Sequence, residues 1–336
     1  MKIDSSLMFD PVRVGAMATE LEEAGFDGAY TFEGQSDPFI SVAAAAMSTR
    51  KMELMTSIAV AFARNPMSLA YLGNDLQNLS GGRFILGLGA QVKAHIERRF
   101  SMPWSKPASR MREMVLAIKT IWDCWQTGDK LKFEGEFYQH TLMSPIFSPQ
   151  PNEYGVPKIF IAGVGPVMTE VAAEVGDGYF MHPFNTGDSM DQLSLAAVQR
   201  GLDKAGKQRA DYCVSAQVIT ATGLDEQGME AAIASARNQI AFYASTPAYL
   251  PVLACHGWEG LQAEANALTK QGKWVELAQL IDDDILNTFA VVGTPTEVAQ
   301  KIAARYSAKV DRISPVIYQP DVALLAELRR EIAAAL

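Results

Sequence analysis

Cysteine is scarce: Cys124, Cys213 and Cys255 are the only three in 336 residues, and they stand far apart. An odd, dispersed set supplies neither a disulfide framework nor closely spaced metal ligands. It reads as idle thiols in a reducing compartment, the cytoplasm. Histidine is almost as sparse, with four residues, and no HExxH helix, P-loop or Ser/His/Asp constellation is present. Basic residues are the minority: 29 Lys and Arg face 38 Asp and Glu, a formal net charge of −9. Such an acidic surface argues against nonspecific nucleic-acid binding while leaving room for a local basic pocket. Nothing suits a bilayer. The N-terminal MKIDSSLMFD lacks the apolar centre of a signal peptide. The uncharged stretch 238–258 carries Asn238, Gln239, Pro247, Pro251 and His256, which a membrane interior penalises. Internal repeats and low-complexity tracts are missing too. The expected setting is a soluble cytoplasmic protein acting on a small molecule, with no nucleic-acid and no membrane partner.

What is present is an alternation. Hydrophobic residues make up 49% of the chain, enough for a large core. Short β-type runs are expected at 2–8, 27–33, 53–60, 83–88, 157–162, 177–181, 211–221 and 310–317. Longer amphipathic runs follow them, at 11–24, 38–48, 66–79, 106–126, 167–175, 188–205, 294–306 and 323–336. Proline opens several of these helices and glycine follows several, as the end chemistry of helices favours. Thr294 and Glu297 form a capping-box pattern. Strands alternating with helices imply a parallel sheet with crossover helices. Eight units imply an α/β fold closed as a (β/α)8 TIM barrel, a single domain over residues 1–336. Two insertions interrupt it, at about 127–156 and 225–290. The first holds FEGEFYQH, a hairpin-like piece, and a proline-rich connector.

In such barrels chemistry sits at the C-terminal ends of the strands. That rule selects Phe9 and Asp10, then Glu33, Gln35 and Asp37, then Ser57 and Ile58. Gly89, Gln91 and His95 follow the fourth strand, and Ala162, Gly163, Gly165 and Pro166 the fifth. His182 follows the sixth strand, and Tyr318 and Gln319 the eighth. IAGVGP, residues 161–166, joins a strand to a helix. Its glycines admit close backbone approach, and the helix N-terminus offers free N–H groups and a positive dipole end. It reads either as a phosphate cradle or as an ordinary strand–helix turn. His182 reads as a face against a cofactor ring or as a satisfied structural histidine. His95 reads as a substrate contact or a solvated helix position. Asp37 reads as a ligand contact or as the cap of the helix opened by Pro38. Glu33, Gln91, His95 and His182 are the catalytic candidates. GLGAQ, residues 87–91, is not a dinucleotide fingerprint, because the GxGxxG spacing fails.

LMTSIAVAFARNP and LSGGRFILGLGAQ, followed by IAGVGPVMTEVAAEVGDGYF and GTPTEVAQKIAARY, resemble the luciferase-like monooxygenase superfamily in order along the whole chain. QVKAHIERRF resembles its subgroup of coenzyme F420-dependent oxidoreductases. The resemblance implies a barrel binding coenzyme F420, or alternatively FMN, at its C-terminal rim. It implies a non-prolyl cis peptide at Ser57–Ile58 behind the ring, an acidic residue near the ring at Asp37, and a phosphate turn at Gly163, Gly165 and Pro166. One departure stands out. Gln91 and Val92 occupy the place where sugar-phosphate dehydrogenases of the subgroup carry a catalytic Glu. The expected activity is hydride transfer between F420 and an organic carbonyl, alcohol or alkene-type substrate. The alternatives are an FMN-dependent monooxygenase and a flavin-binding protein without turnover. The basic Lys93, Arg98 and Arg99 are expected near the acidic tail of F420. A homodimer is expected, through the helices flanking the second strand and the fourth strand, above all residues 66–79.

Overall fold

The computed structural model describes residues 1–7, 10–318 and 321–336. Phe9 and Gln319, both expected at strand ends, lie outside the described residues. Eight strands form the barrel: β1 (Lys2–Ser6), β2 (Gly28–Thr31), β3 (Glu53–Thr56), β4 (Phe84–Gly89), β5 (Lys158–Gly163), β6 (Gly178–Met181), β7 (Cys213–Ala221) and β8 (Arg312–Val316). Each pairs in parallel with the next. β8 returns to β1 through Lys2↔Arg312 and Ile3↔Ile313, which closes the sheet. The crossover helices follow in turn: α1 (Val14–Glu23), α2 (Pro38–Ser48), α3 (Pro66–Ser80), α4 (Pro107–Thr127), α5 (Pro166–Val175), α6 (Ala196–Ala205), α7 (Pro295–Tyr306) and α8 (Val322–Ala335). The expected (β/α)8 barrel is the observed fold.

Local chemistry explains where the helices begin. Asp37 accepts the Phe39 amide at 2.9 Å and Pro38 occupies the first turn of α2. Asn65 caps α3 in the same way, again ahead of a proline. Thr294 and Glu297 complete the capping box of α7. Proline fits these starts because its missing N–H would have been unpaired there anyway.

At the other end of the barrel one device recurs. Asp27, Asp177 and Asp311 stand just before β2, β6 and β8. Each carboxylate accepts the amide of a residue on the preceding strand: Ile3 at 2.8 Å, Ile159 at 2.9 Å and Val214 at 2.7 Å. The backbone N–H of each aspartate donates to the carbonyl of that same residue. Each aspartate thus binds its neighbouring strand twice and fixes the register of one pair.

The lumen is filled by alternate strand residues. Tyr30, Met55, Ile85, Phe160 and Phe180 form its apolar cluster. Below it the Arg312 guanidinium, 3% exposed, holds Asp4 through two bonds of 2.8 and 2.6 Å and also pairs with Glu53. Gly28 is required beside this cluster, since a Cβ there would lie 2.5 Å from both Arg312 and Asp4.

Four departures from the sequence expectation have physical causes. The run 53–60 is split into β3 and a two-residue strand, Ala59–Val60, because the chain turns at Ser57–Ile58. The helix expected over 188–205 contains a π-helical turn, Met190–Leu195, with no glycine or proline to announce it. A short helix, Lys93–Arg98, buries only Ile96 and so leaves no periodic signal. The face of α3 is already in use: Leu69, Ala70 and Leu76 are buried, and Tyr71 packs on Trp125 and donates to the Phe147 carbonyl of the first insertion. That insertion contains the expected hairpin, Phe133–Glu134 against Gln139–His140. Its turn is held by the Glu113 carboxylate, which accepts three successive amides, those of Glu136, Phe137 and Tyr138.

Arg312 yields a stability prediction. Arg312→Met leaves the Asp4 carboxylate in the lumen without a counter-charge, while Glu53 keeps Lys2 at 2.7 Å, and urea unfolding should show a loss of about 3–5 kcal/mol. An Asp4→Leu/Arg312→Met double variant should regain much of it. A single variant as stable as the parent would refute the ion cluster as a structural element.

Candidate active site

The C-terminal mouth is organised by a bulge between β3 and Ala59–Val60. Ser57 donates its N–H to the Thr31 carbonyl at 2.7 Å, and the Ile58 carbonyl accepts the Glu33 N–H at 3.0 Å. The Ser57–Ile58 peptide between these bonds is cis, as the resemblance implied. Glu33, 8% exposed, spends one carboxylate oxygen on the Val60 amide at 2.7 Å and on Arg64 Nη1 at 2.6 Å. Arg64 Nη2 reaches Asp37 at 2.9 Å, and Nη1 also donates to the Val60 carbonyl. The guanidinium lies over the Phe39 ring, 5.2 Å from its centre. Burial works against the Arg64 charge, and hydrogen bonding and attraction from Glu33 and Asp37 more than offset it, so its pKa lies above the ordinary value. Glu33 therefore ties down the bulge. Asp37 both caps α2 and pairs with Arg64.

Ile58 rests on β4. A Cβ on Gly89 would fall 2.7 Å from Ile58 Cγ1, and one on Gly87 would fall 1.7 Å from the Thr56 carbonyl oxygen. Only glycine lets the bulge lie this close to the strand. Ser57 Oγ accepts from Gln217 Nε2 at 3.3 Å, and Ala162 and Ile58 both pack on the lumen cluster. Gln91 has a positive φ of 58° and folds its side chain back onto the Val92 amide at 2.9 Å. His95 is exposed on the helix Lys93–Arg98 and makes no side-chain hydrogen bond among the described residues.

The turn Gly163–Pro166 opens α5. Gly165 is the capping residue, and a Cβ there would meet nothing within 4 Å. The first-turn amides of such a helix lack intrahelical acceptors and carry the positive dipole end. The Gly163 carbonyl is anchored by the Tyr179 hydroxyl at 2.7 Å. Gly163, Val164, His182 and Asn185 line one small cavity beside the turn. Asn185 donates to the His182 carbonyl at 2.6 Å, while its side-chain carbonyl oxygen is buried with no partner among the described residues. A much larger groove, about 700 Å³, lies at the opposite end of the barrel, lined by Lys158, Asp177, Cys213 and Asp311. It is remote from the strand ends named above.

The state of the His182 ring follows from its bonds. Nδ1 accepts the Phe184 amide at 3.1 Å, so it carries no proton. Nε2 then carries the hydrogen and donates to the Tyr249 hydroxyl oxygen at 3.0 Å. Tyr249 stacks on the imidazole and Tyr243 meets it edge-on, both at 4.8 Å between centres. Burial pushes the His182 pKa down to about 3.

Sequence reasoning selected Glu33, Ser57, Ile58 and Gly89, which lie against one another, Asp37, which joins them through Arg64, and Gly163 and His182, which share a cavity. Gln91 and His95 stand apart from both groups. It missed Arg64, Gln217, Asn185 and Tyr249. Arg64 had a signal, a lone cation six residues beyond the bulge and opposite two rim acids. Gln217 had another: Ser215 and Gln217 alternate as polar positions in an apolar strand, the period of a lumen-facing row. Tyr249 had none, being brought in by the second insertion.

The chain matches the family model described as luciferase-like monooxygenase over residues 4–312. It is 48% identical over 316 residues to an uncharacterised protein of Mycobacterium tuberculosis (strain ATCC 25618 / H37Rv), covering 94% of this chain and 93% of that one. It is 29% identical over 301 residues to 5,10-methylenetetrahydromethanopterin reductase of Archaeoglobus fulgidus, covering 87% and 85%. Its fold superposes on the coenzyme F420-dependent tetrahydromethanopterin reductase of Methanopyrus kandleri with a TM-score of 0.82 at 22% identity, over 99% and 98% of the two chains. The chain belongs to the luciferase-like monooxygenase family.

His182 sets an acid dependence. Its pKa is lower folded than unfolded, so the unfolded chain binds the extra proton between pH 6.5 and about 3. The stability tied to it is complete above pH 6.5 and falls as pH drops through that window. Unfolding free energies from urea titrations at pH 7 and pH 5 should differ less for His182→Phe than for the parent, by roughly 2 kcal/mol. Equal losses in both proteins would show that His182 titrates normally.

Proposed function

We propose that this member of the luciferase-like monooxygenase family moves a hydride between coenzyme F420 and an organic carbonyl, alcohol or alkene-type substrate. The observation that carries the reading is the turn Gly163–Pro166: open backbone at Gly165, a helix N-terminus behind it, and the unpartnered Asn185 carbonyl beside it. These fit a phosphate-bearing cofactor that also brings hydrogen-bond donors. In this reading the turn holds the phosphate. Ser57–Ile58 backs the ring, with Gln217 fixing the Ser57 hydroxyl. Glu33, Asp37 and Arg64 hold that backing in place and touch no reacting atom. Lys93 and Arg98 meet the acidic tail. His182 stands on the wall of the site, while Gln91 and His95 remain candidates on the substrate side.

The deazaflavin supplies a carbon-borne hydride when bound. The protein's part is placement, since a substrate carbon must be held roughly 3–3.5 Å from that position. A Mycobacterium tuberculosis relative named as a putative coenzyme F420-dependent oxidoreductase matches over 89% of this chain at 27% identity, which supports F420. Structures of the same fold also include an FMN complex, so the two cofactors must be compared directly. Association as a homodimer belongs to the same reading. Ile40 and Met47, 59% and 67% exposed on α2, offer an apolar face, and light scattering on the 36.6 kDa chain checks it.

Fluorescence titration of the purified protein with each cofactor tests the reading. F420 should bind more tightly than FMN, and the gap should narrow as salt rises. Arg64→Ala should weaken F420 binding about tenfold or more by freeing the bulge, with the circular dichroism spectrum unchanged. Comparable or tighter FMN binding, with oxygen consumed when reduced FMN is supplied, would favour the monooxygenase.

A further inference from the structure

We infer that Tyr249, held by His182, is the proton donor to a carbonyl substrate at this mouth. The inference rests on the hydride-transfer reading and narrows its substrate class.

The argument begins with hydrogens. Phe184 N–H occupies His182 Nδ1, so Nε2–H must be the donor in the bond to Tyr249. The Tyr249 oxygen therefore accepts, and its own proton has no acceptor among the described residues. A phenol whose oxygen already receives a hydrogen bond, and whose proton is free, is arranged to give that proton away. The imidazole cannot turn aside, because Tyr243 meets its edge and Tyr249 covers its face. The backbone is fixed as well, since Asn185 bonds the His182 carbonyl.

The chemistry balances. A hydride from a reduced deazaflavin or dihydroflavin adds to the carbonyl carbon, and the π pair moves to oxygen. That oxygen takes the proton of Tyr249. The O–H electron pair stays on the phenolic oxygen, where the Nε2–H of His182 stabilises the new charge. The cofactor loses two electrons, the carbonyl becomes an alcohol, and solvent returns a proton to Tyr249 after release. His182 stays neutral throughout, which its buried position demands. Burial also raises the Tyr249 pKa, so the phenol is protonated at rest and yields only to a base as strong as a forming alkoxide. An iminium substrate takes a hydride without a proton and would have no use for this pair.

Infrared difference spectra of the cofactor-loaded protein with acetophenone test the pair. This probe suits the aromatic wall of Phe184 and Tyr243, whose rings lie 5.4 and 5.7 Å from that of Tyr249. In the parent the C=O stretch should shift to lower frequency. The shift should vanish in Tyr249→Phe and persist in Tyr243→Phe, a control that removes a neighbouring hydroxyl. A band at the solution frequency in the parent, or a shifted band that survives Tyr249→Phe, overturns the inference. Cofactor binding by Tyr249→Phe, measured by fluorescence, should stay within about twofold of the parent, and a larger loss would make the residue a cofactor contact instead. The F420 titration tests the underlying reading separately, since the carbonyl band can be recorded with either cofactor bound.

Discussion

The mouth of this barrel hangs on one guanidinium. Arg64 is only 14% exposed, and a charge so placed must be matched. It is matched by Glu33 at the end of β2 and Asp37 at the start of α2, and it also binds the Val60 carbonyl just past the bulge. Three segments are thereby set against each other. Glu33 in turn fixes the Val60 amide, so the bulge is held from both of its polar sides. With that frame in place, Ile58 can settle only where Gly89 leaves room. The cap of α2, the turn after β3 and the glycine pattern of β4 are parts of one arrangement.

Most of this architecture was legible because it obeys local rules. Short β-type runs gave the strands, prolines and caps gave the helix starts, and α2 was located at Pro38–Ser48 from its sequence alone. The bulge was legible through family resemblance rather than through any local preference of Ser57 or Ile58. The rest needed three dimensions. Nothing near Tyr249 in sequence announces His182, 67 residues away. Glu33 shows the converse. Its rim position was read correctly, but a carboxylate at a rim looks the same in sequence whether it is free or consumed by an arginine.

The second insertion matters more than its position between β7 and α7 suggests. Its helices, from Glu226 to Phe289, build a core of their own around Ile240, Leu253, Leu277 and Phe289. Phe184 and Ile219 from the barrel join that core. Phe184 stacks on Phe289 with ring centres 4.2 Å apart, and Thr186 bonds His256 at 2.8 Å. The segment that carries His182 is therefore packed from outside by the insertion, and the aromatic wall of the site is supplied by residues that the eight-fold barrel pattern does not require.

The aspartates at the far end show how such an addition can be borne. The clamps of Asp27 and Asp177 span 24 and 18 residues, while that of Asp311 spans 97. Loop-closure entropy grows only with the logarithm of length, so the longest span costs about 1 kcal/mol more than the 24-residue one. The same two bonds are recovered in each case. A chain can then lengthen one crossover several-fold and still seat its next strand in the right register. In this barrel, alignment is enforced at one rim and variation is tolerated at the other, and the two-strand pair with its aspartate is the module across which they are kept apart.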